Sequence, residues 1–254
     1  MPEADTEVAG FASAYARLKS AQKSGRGAPA YSLYINRPLG RVIAAAAFPL
    51  GLTPNQVTFL SAGFSLTGIL VLAVVPPSWW VGVLVCLSLV LGYALDSADG
   101  QLARLRGGGS AVGEWLDHMI DSGKNICLHL AVLIAAYRFV ELPTRAALLV
   151  PMLFAVVSSV HFFGMILVDQ LSRTRQPDRA PAPPIGHSSA WRSLMKTPID
   201  YGALCLVFAL WGAPTVFFAV YSVFALGATG YLCLVLIKWR GDMAALDLDG
   251  PAGR

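Results

Sequence analysis

Long stretches of this chain contain only uncharged and mostly apolar residues. Residues 42–95 hold no Asp, Glu, Lys or Arg, and the same is true of residues 146–168 and 201–237. About 20 consecutive apolar residues are enough for a helix to cross a bilayer. The pattern therefore predicts an all-α integral membrane protein with several spans.

Prolines, glycines and polar turns divide the apolar sequence into six predicted transmembrane helices. Thr53 is a natural N-cap and Pro54 suits the first helical position, whereas the Pro-rich loop within residues 172–196 cannot be helical. The predicted helices cover about residues 54–75, 79–104, 111–138, 143–171, 198–212 and 215–238.

Two short amphipathic helices are predicted before the first span. In the polar tail of residues 1–30, apolar residues recur at helical spacing, at Val8, Phe11, Ala12, Tyr15 and Leu18. In residues 31–50, Arg37 and Arg41 lie on one side of a helix and apolar residues on another, namely Tyr31, Tyr34, Ile35, Val42 and Ile43. The second pattern is typical of a helix that lies at the lipid headgroups.

The basic residues are distributed unequally about the predicted spans. With six spans, sixteen of the nineteen Lys and Arg residues fall on the side of the termini, and only Arg138 and Arg145 fall on the other side. Because cytoplasmic loops carry the excess of Lys and Arg, both termini are expected in the cytosol. The expected layout is the polar tail 1–30, the interfacial helix 31–50, a six-helix transmembrane domain 51–240 and a cytosolic tail 241–254.

Composition agrees with this class of protein. The chain of 254 residues is 56% hydrophobic and 13% charged, whereas about a quarter of a soluble domain is charged. Its four cysteines are far apart within apolar segments, which favours free buried thiols over a zinc site or a disulfide framework. The first 30 residues lack the apolar core of a signal peptide.

One charged stretch interrupts the apolar sequence, DSADGQLARLRGGGSAVGEWLDHMID at residues 96–121. Asp96 and Asp99 are three residues apart near the end of the second predicted span, and Asp117 and Asp121 are four apart near the start of the third. Both spacings place the pair on one helix face, and the Gly-rich turn at 107–109 makes the two helices antiparallel neighbours. Four carboxylates are therefore expected to meet at the cytosolic surface of the membrane.

Clustered carboxylates repel one another and take up protons unless cations lie between them. Oxygen ligands alone favour hard ions such as Mg²⁺ or Mn²⁺, and two such ions can hold a phosphate or a diphosphate. Small residues at Gly100, Ala103 and Gly113 would let a ligand approach the backbone, and Arg104 adds a charge suited to phosphate. Glu114 lies outside this set and is expected to be solvated.

The residues fit D-x2-D-G-x2-A-R-x8-G-x3-D-x3-D without a gap, at Asp96, Asp99, Gly100, Ala103, Arg104, Gly113, Asp117 and Asp121. This motif resembles the signature of class I CDP-alcohol phosphatidyltransferases, and the resemblance covers roughly residues 34–238. It implies that an alcohol attacks the phosphorus of a CDP-linked donor that is distal to cytidine, and that CMP leaves. It further implies metal ligation by Asp96, Asp99, Asp117 and Asp121, a role for Asp121 as the catalytic base, and a CDP site lined by Gly100, Ala103, Arg104 and Gly113.

Four further residues are candidates for the site. Asn55 and Thr58 either meet the nucleotide or serve only helix capping and packing. Lys124 lies on the same face of the third predicted span as Asp117 and Asp121, and either pairs with the acids or holds substrate phosphate. His118 belongs to a DHxxDS pattern that resembles family members acting on amino-alcohols. Lys124 and His118 are the acceptor-side candidates.

The function predicted is transfer of a phosphatidyl or phospho-alcohol group, with CDP-diacylglycerol as the leading donor, to an alcohol acceptor in phospholipid synthesis. The alternatives are an amino-alcohol phosphotransferase with a lipid acceptor, a prenyltransferase, and a cation transporter with intramembrane carboxylates. A prenyltransferase would be expected to carry two Asp-rich motifs on well-separated helices. A transporter would be expected to carry its acidic residues near the middle of the bilayer. The expected partners are the donor, the alcohol, membrane lipids and a second copy of the chain, with no nucleic acid, and the expected location is the cell membrane with the active site facing the cytosol.

Overall fold

The structure, a computed structural model, describes residues 10–20, 28–175 and 197–248, and every regular element in those ranges is helical. We number the main helices α1 (Phe11–Ser20), α2 (Arg37–Ala47), α3 (Pro54–Val74), α4 (Trp79–Leu105), α5 (Ala111–Phe139), α6 (Leu149–Arg175), α7 (Tyr201–Val207) and α8 (Pro214–Leu248). A π-helical turn, Ser32–Asn36, leads into α2, and 3-10 turns lie at Arg145–Leu148 before α6, at Thr197–Ile199, and at Phe208–Gly212 after α7.

Five of these helices are long and apolar enough to cross a membrane, namely α3, α4, α5, α6 and α8. The protein is therefore a multi-pass membrane protein, and apart from the C-terminal end of α8 these helices begin and end close to the predicted residues. The fifth predicted span corresponds to the apolar segment Tyr201–Gly212. At a rise of about 1.5–2.0 Å per residue it reaches roughly 20 Å, short of a hydrocarbon core of about 30 Å. Six complete spans thus stay a prediction.

Side-chain caps fix where the helices begin. The hydroxyl of Thr53 accepts a hydrogen bond from the backbone N–H of Gln56, whose side chain accepts one from the N–H of Thr53. This capping box satisfies N–H groups that the first turn of α3 leaves unpaired. Between α4 and α5 the chain turns through Gly107 and Gly108, at φ of 95° and 132°, values that glycine adopts most readily. The turn makes α4 and α5 antiparallel, as the sequence predicts.

Close packing of α3 against α4 depends on small residues. A Cβ at Gly92 would lie 2.1 Å from the Ser65 hydroxyl and 3.1 Å from the Ser61 carbonyl oxygen. Apolar side chains of α3 to α8 and of the 3-10 turn Phe208–Gly212 form the larger core, and Leu72, Leu89, Leu128, Trp211 and Tyr221 are fully buried in it.

The two N-terminal helices pack on this bundle. In α1, Ala14 and Leu18 are fully buried in a second apolar cluster with residues of α2, α3 and α4. One face of α2 is also buried, through Gly40, Ala44, Ala45 and Ala47. The other side of α2 and of the π-helical turn before it leaves Tyr34, Ile35 and Val42 exposed. Tyr31, grouped with them in the sequence pattern, is buried. A position of α2 at the lipid headgroups stays a prediction that this exposed apolar face supports.

Helix α8 continues to Leu248, beyond the start of the predicted tail at 241. Lys238 pairs with Asp242 one turn later at 2.9 Å, and Arg175 at the end of α6 lies 3.7 Å from Asp247. Leu246 is buried. The two ion pairs and the buried Leu246 side chain stabilise the polar extension of α8. The hydropathy pattern does not show these contacts, which is why the helix was predicted to end earlier.

Candidate active site

Three of the four motif aspartates meet near the turn that connects α4 and α5. One carboxylate oxygen each of Asp96, Asp117 and Asp121 lie within 4.8 Å of one another, and all three residues are half-buried. Asp96 comes from α4 and the other two come from α5. The glycine turn and the spacing of the acids along each helix together produce this cluster, which we call the acidic cluster.

The fourth aspartate, Asp99, is set apart by its burial. It is 6% exposed and accepts a hydrogen bond from the Thr58 hydroxyl at 2.6 Å. Thr58 lies on α3, one turn after the capped start of that helix. Thr58 therefore orients the Asp99 carboxylate through this hydrogen bond. The sequence alone allowed either a contact with the nucleotide or a packing role for Thr58.

Lys124 lies one turn beyond Asp121 and points its ammonium group into the acidic cluster. Its Nζ lies 2.7 Å from Asp96 and 2.6 Å from Asp121, and it donates to the Ser61 hydroxyl at 3.3 Å. Lys124 is buried, so its charge is compensated by the two carboxylates. Of the two roles considered from the sequence, the structure shows the pairing with the acids.

A polar cavity of about 200 Å³ opens beside the acidic cluster. Carboxylates of Asp96, Asp99 and Asp117 line it together with the guanidinium-bearing residues Arg37 and Arg104, and its remaining lining residues are Ser97, Gly100 and Gln101. A Cβ built on Gly100 would meet only an Arg104 nitrogen, at 3.8 Å. The cavity thus brings acidic and basic groups together around open space, an arrangement that suits a phosphate held through cations and arginines.

Three other residues predicted for the nucleotide site, Gly113, Asn55 and Ala103, are not among the lining residues of the polar cavity, and their contact with the nucleotide stays a prediction. A Cβ at Gly113 would lie 3.3 Å from Asn55 Oδ1 and 3.2 Å from the hydroxyl of Ser110, which caps α5. Gly113 and Asn55 therefore form the close contact between the starts of α5 and α3. Ala103 is half-buried on α4 and is absent from the lining of the polar cavity.

His118 is directed away from the acidic cluster. Its Nε2 lies 4.0 Å from Glu114, and its ring lies edge-on to Phe162 of α6 with 6.3 Å between centroids. Glu114 also lies 3.4 Å from Arg173. The structure therefore places His118 between α5 and α6, whereas its sequence neighbour Asp117 faces the cavity.

A second and larger cavity, of about 750 Å³, extends from the acidic cluster toward the middle of the bundle. We call it the deep cavity. Asp96, Asp121 and Lys124 line the end that it shares with the acidic cluster. Apolar side chains of α6, α7 and α8 form much of its wall, among them Phe154, Val157, Phe162, Met165, Leu204, Leu234 and Val235. Its size and apolar wall suit the hydrocarbon part of a lipid.

Two histidines that the sequence places in the spans lie along the deep cavity. His129 is buried, with Nδ1 2.7 Å from the Tyr221 hydroxyl and Nε2 2.9 Å from the Ser158 hydroxyl. Both ring nitrogens of His129 thus have partners, as is usual for a buried polar side chain. His161 stacks on Trp239, with 5.7 Å between ring centroids.

Sequence reasoning missed Arg37, Ser97 and Gln101 as lining residues of the polar cavity. Arg37 was placed on the polar side of an interfacial helix, because charge patterning along one helix does not show which neighbour that side meets. The signal that could have found it is Gly40, a small residue in α2 that allows close approach to Ser97 and Gln101 of α4.

A family model for CDP-alcohol phosphatidyltransferases matches residues 51–237. The chain belongs to this family. Its members transfer phospho-alcohol groups in phospholipid synthesis, and the acidic cluster lies within the matched range. The family motif that the sequence suggested is therefore present in a chain with five helices able to cross a membrane.

Two curated relatives of this CDP-alcohol phosphatidyltransferase family member bear the names of different enzymes. The chain is 36% identical over 83 residues to a phosphatidylinositol phosphate synthase of Mycolicibacterium smegmatis, covering 33% of this chain and 36% of that protein. It is 31% identical over 115 residues to human ethanolaminephosphotransferase 1, covering 40% of this chain and 28% of that protein. The similarity thus spans about a third of each relative, and the two names describe different alcohols.

The donor atoms of the site fit the divalent ion on which this family generally depends. Asp96, Asp117 and Asp121 each offer a carboxylate oxygen within one small volume, and hard divalent ions prefer oxygen ligands of this kind. Asp99 adds a fourth carboxylate on the wall of the adjoining polar cavity. The open space beside Gly100 leaves room for a ligand that reaches these oxygens.

Proposed function

We propose that this protein is a metal-dependent CDP-alcohol phosphotransferase. It transfers a phosphatidyl or phospho-alcohol group from a CDP-linked donor, with CDP-diacylglycerol as the leading donor, to an alcohol acceptor and releases CMP. The observation that carries the proposal is the acidic cluster at the family's motif positions, adjoining a polar cavity that Arg104 and Gly100 line. A transporter is not favoured, because the carboxylates lie toward the ends of α4 and α5 beside this cavity.

In the proposed site, Asp96, Asp99, Asp117 and Asp121 hold two Mg²⁺ or Mn²⁺ ions. When bound, such ions neutralise the diphosphate and stabilise the charge that develops on the leaving group. Arg104 contributes a fixed positive charge from the wall of the same cavity, and Gly100 leaves the diphosphate free to approach α4. Thr58 keeps Asp99 oriented through its hydrogen bond.

The reaction forms one P–O bond and breaks another. The acceptor oxygen attacks the phosphorus distal to cytidine, the bond from that phosphorus to the bridging oxygen breaks, and CMP leaves with the electron pair. Asp121 takes the proton of the alcohol, a general-base role that typically contributes 10²–10⁴-fold in rate. Its position supports this role, because Asp121 lines the deep cavity as well as belonging to the acidic cluster.

The deep cavity supports a lipid as one of the two substrates. It joins the acidic cluster at Asp121 and Lys124, and it is walled by apolar side chains. A lipid whose hydrocarbon part occupies this cavity would bring its polar end to the reacting groups. The same geometry accommodates a lipid attached to the CDP donor or a lipid alcohol.

The proposed setting is the cell membrane, with the active site facing the cytosol and the protein acting as a homodimer. The orientation follows from the excess of Lys and Arg on the side of the termini. The acidic cluster lies at the ends of α4 and α5 that the Arg-containing turn at 104–110 connects. Reversed membrane orientation in a cysteine-labelling experiment would contradict this part of the proposal.

The decisive experiment measures CMP release by the purified protein. It is incubated with Mg²⁺ or with EDTA, with CDP-diacylglycerol as donor, and with a panel of polyol, phosphorylated polyol and amino-alcohol acceptors. The expected result is CMP release that requires both the metal and one acceptor class. Asp117→Asn removes one carboxylate from the acidic cluster. Glu114→Gln is its matched control, because Glu114 lies one turn earlier on α5 and pairs with Arg173 outside the cluster. Absence of metal-dependent CMP with every donor and acceptor would overturn the proposal.

A second candidate is an amino-alcohol phosphotransferase, which the similarity to human ethanolaminephosphotransferase 1 favours. Here CDP-ethanolamine or CDP-choline would be the donor and a lipid alcohol in the deep cavity the acceptor. The same assay separates the candidates. CMP released from CDP-ethanolamine with diacylglycerol, and not from CDP-diacylglycerol with any alcohol, would select the second.

A further inference from the structure

Arg37 reaches the polar cavity from outside the segment that matches the family. The family match begins at residue 51, whereas Arg37 is the first residue of α2. It nevertheless lines the polar cavity together with Asp96, Asp99 and Arg104. A helix that sequence patterning assigns to the membrane surface thus supplies part of the wall of the candidate active site.

The backbone of α2 is held against α4 at this point by specific contacts. A Cβ at Gly40 would lie 2.7 Å from the Ser97 hydroxyl and 2.9 Å from Gln101 Nε2, so the two helices approach closely only because residue 40 is glycine. Gln101 Nε2 also donates a hydrogen bond to the Arg37 carbonyl oxygen at 3.1 Å. Both Ser97 and Gln101 line the cavity as well. The position of Arg37 beside the cavity is therefore built into the packing of α2 on α4.

Arg37 brings a second positive charge to the polar cavity that Arg104 lines. Arg37 and Arg104 are both half-buried, and their like charges repel each other. Burial lowers the pKa of the Arg37 guanidinium, since desolvation disfavours the charged form. Two partly desolvated cations at one cavity are unfavourable unless an anion offsets their charge. Carboxylates of the cavity can offset part of it, but under the proposed function those carboxylates hold metal ions.

We propose that Arg37 binds the diphosphate of the CDP-linked donor together with Arg104. The proposal rests on the proposed function and adds to it a binding residue from α2. Guanidinium groups present several N–H donors in a planar fork that matches phosphate oxygens. With metal ions on the carboxylate side and two arginines on the other side, a diphosphate in the cavity would be neutralised from both sides.

The test measures binding of CDP to the full-length protein in detergent micelles with Mg²⁺, by isothermal titration calorimetry. Arg37→Gln is expected to raise the Kd for CDP roughly tenfold to hundredfold, the usual effect of losing a charge-assisted hydrogen bond. Arg37→Lys is expected to give an intermediate value, because it keeps the charge and loses the fork. The bond from Gln101 to the Arg37 backbone survives both changes, so the melting temperature of the metal-bound protein should stay close to that of the wild type.

Arg41→Gln is the matched control. Arg41 lies one turn further along α2, with its guanidinium over the Tyr15 ring at 5.7 Å from the centroid, and its loss should leave the Kd for CDP unchanged. A Kd for Arg37→Gln or Arg37→Lys within twofold of the wild-type value would overturn the inference while wild-type CMP release still stands. An equal loss of affinity in Arg37→Gln and Arg41→Gln would also overturn it, because that would indicate a general effect of helix charge. Failure of the proposed function is seen separately, as absence of CMP release by the wild type.

Discussion

The ammonium nitrogen of Lys124 lies 2.6 Å from a carboxylate oxygen of Asp121, the residue one helical turn before it on α5. The same nitrogen lies 2.7 Å from Asp96 on α4. One buried cation thus joins the two helices that form the acidic cluster. Lys124 neutralises two of the carboxylates that the proposed function assigns to metal ions, and it fixes the orientation of the proposed base.

We first predict that Lys124→Met destabilises the protein most strongly when divalent cations are absent. Removing one partner of a buried ion pair typically costs about 3–5 kcal/mol, because it leaves an uncompensated charge. Added Mg²⁺ should recover part of this loss by taking over the neutralisation of Asp96 and Asp121. Thermal unfolding in detergent, with EDTA or with Mg²⁺, measures both effects.

Lys238→Met is the control for this prediction. Lys238 also pairs with an aspartate, Asp242 at 2.9 Å, but its side chain is 69% exposed. Exposed pairs of this kind contribute up to about 1 kcal/mol. If Lys124→Met in EDTA melted at the wild-type temperature, the view of Lys124 as the counter-cation of the cluster would have to be abandoned.

The second prediction concerns the hydrogen bond from Thr58 to Asp99. Thr58→Val removes a donor that lies 2.6 Å from the carboxylate, and a hydrogen bond to a charged group is worth about 1.5–3 kcal/mol. We expect a roughly tenfold or greater rise in the Mg²⁺ concentration needed for CDP binding. Thr58→Ser should restore most of the affinity, since it keeps the hydroxyl.

The matched change on the same helix is Thr67→Val. Thr67 is exposed and its hydroxyl donates to the Gly63 carbonyl oxygen of its own helix, at 2.7 Å. This variant should bind Mg²⁺ and CDP like the wild type. A normal Mg²⁺ requirement in Thr58→Val would show that Asp99 does not depend on Thr58.

Hydropathy and turn residues were sufficient to predict the helical class, the ends of most spans and the meeting of Asp96 with Asp117 and Asp121. These features depend on properties within each helix and on the short turn between α4 and α5. The position of Arg37 could not be predicted in this way, because it depends on the packing of α2 against a helix about 60 residues later. The hydrogen bond of Thr58 could not be predicted for the same reason, since its partner Asp99 belongs to another helix. Nor could the burial of Leu246 in the extension of α8.

The third prediction compares an alanine substitution at Gly100, beside the polar cavity, with one at Gly92, in the contact between α3 and α4. Gly100→Ala adds a methyl group into open space, with only an Arg104 nitrogen within 4 Å, and alanine is about 1 kcal/mol more favourable than glycine in a helix. We therefore expect unchanged or slightly higher stability together with weaker CDP binding. Calorimetry with CDP and thermal unfolding of the same sample provide the two measurements.

Gly92→Ala should show the reverse pattern. Its added Cβ would meet the Ser65 hydroxyl at 2.1 Å and the Ser61 carbonyl oxygen at 3.1 Å, so α3 and α4 would be forced apart. Overpacking of this kind typically costs about 1–3 kcal/mol. Gly123→Ala serves as the neutral change, because its Cβ would meet no atom of the described residues within 4 Å. Wild-type CDP affinity in Gly100→Ala would indicate that the diphosphate does not approach α4 at this residue.

The last prediction tests the role of Asp121 as the base. Asp121→Asn keeps the shape of the side chain but cannot accept the alcohol proton, so we expect kcat for CMP release to fall by about 10²–10⁴-fold. Binding of CDP should change much less, because Asp96, Asp99 and Asp117 remain on the wall of the polar cavity. Asp169→Asn is the control, since Asp169 is 54% exposed and pairs with Arg173. Turnover retained by Asp121→Asn would exclude Asp121 as the base. Loss of CDP binding as large as the loss of kcat would instead make it mainly a ligand of the metal.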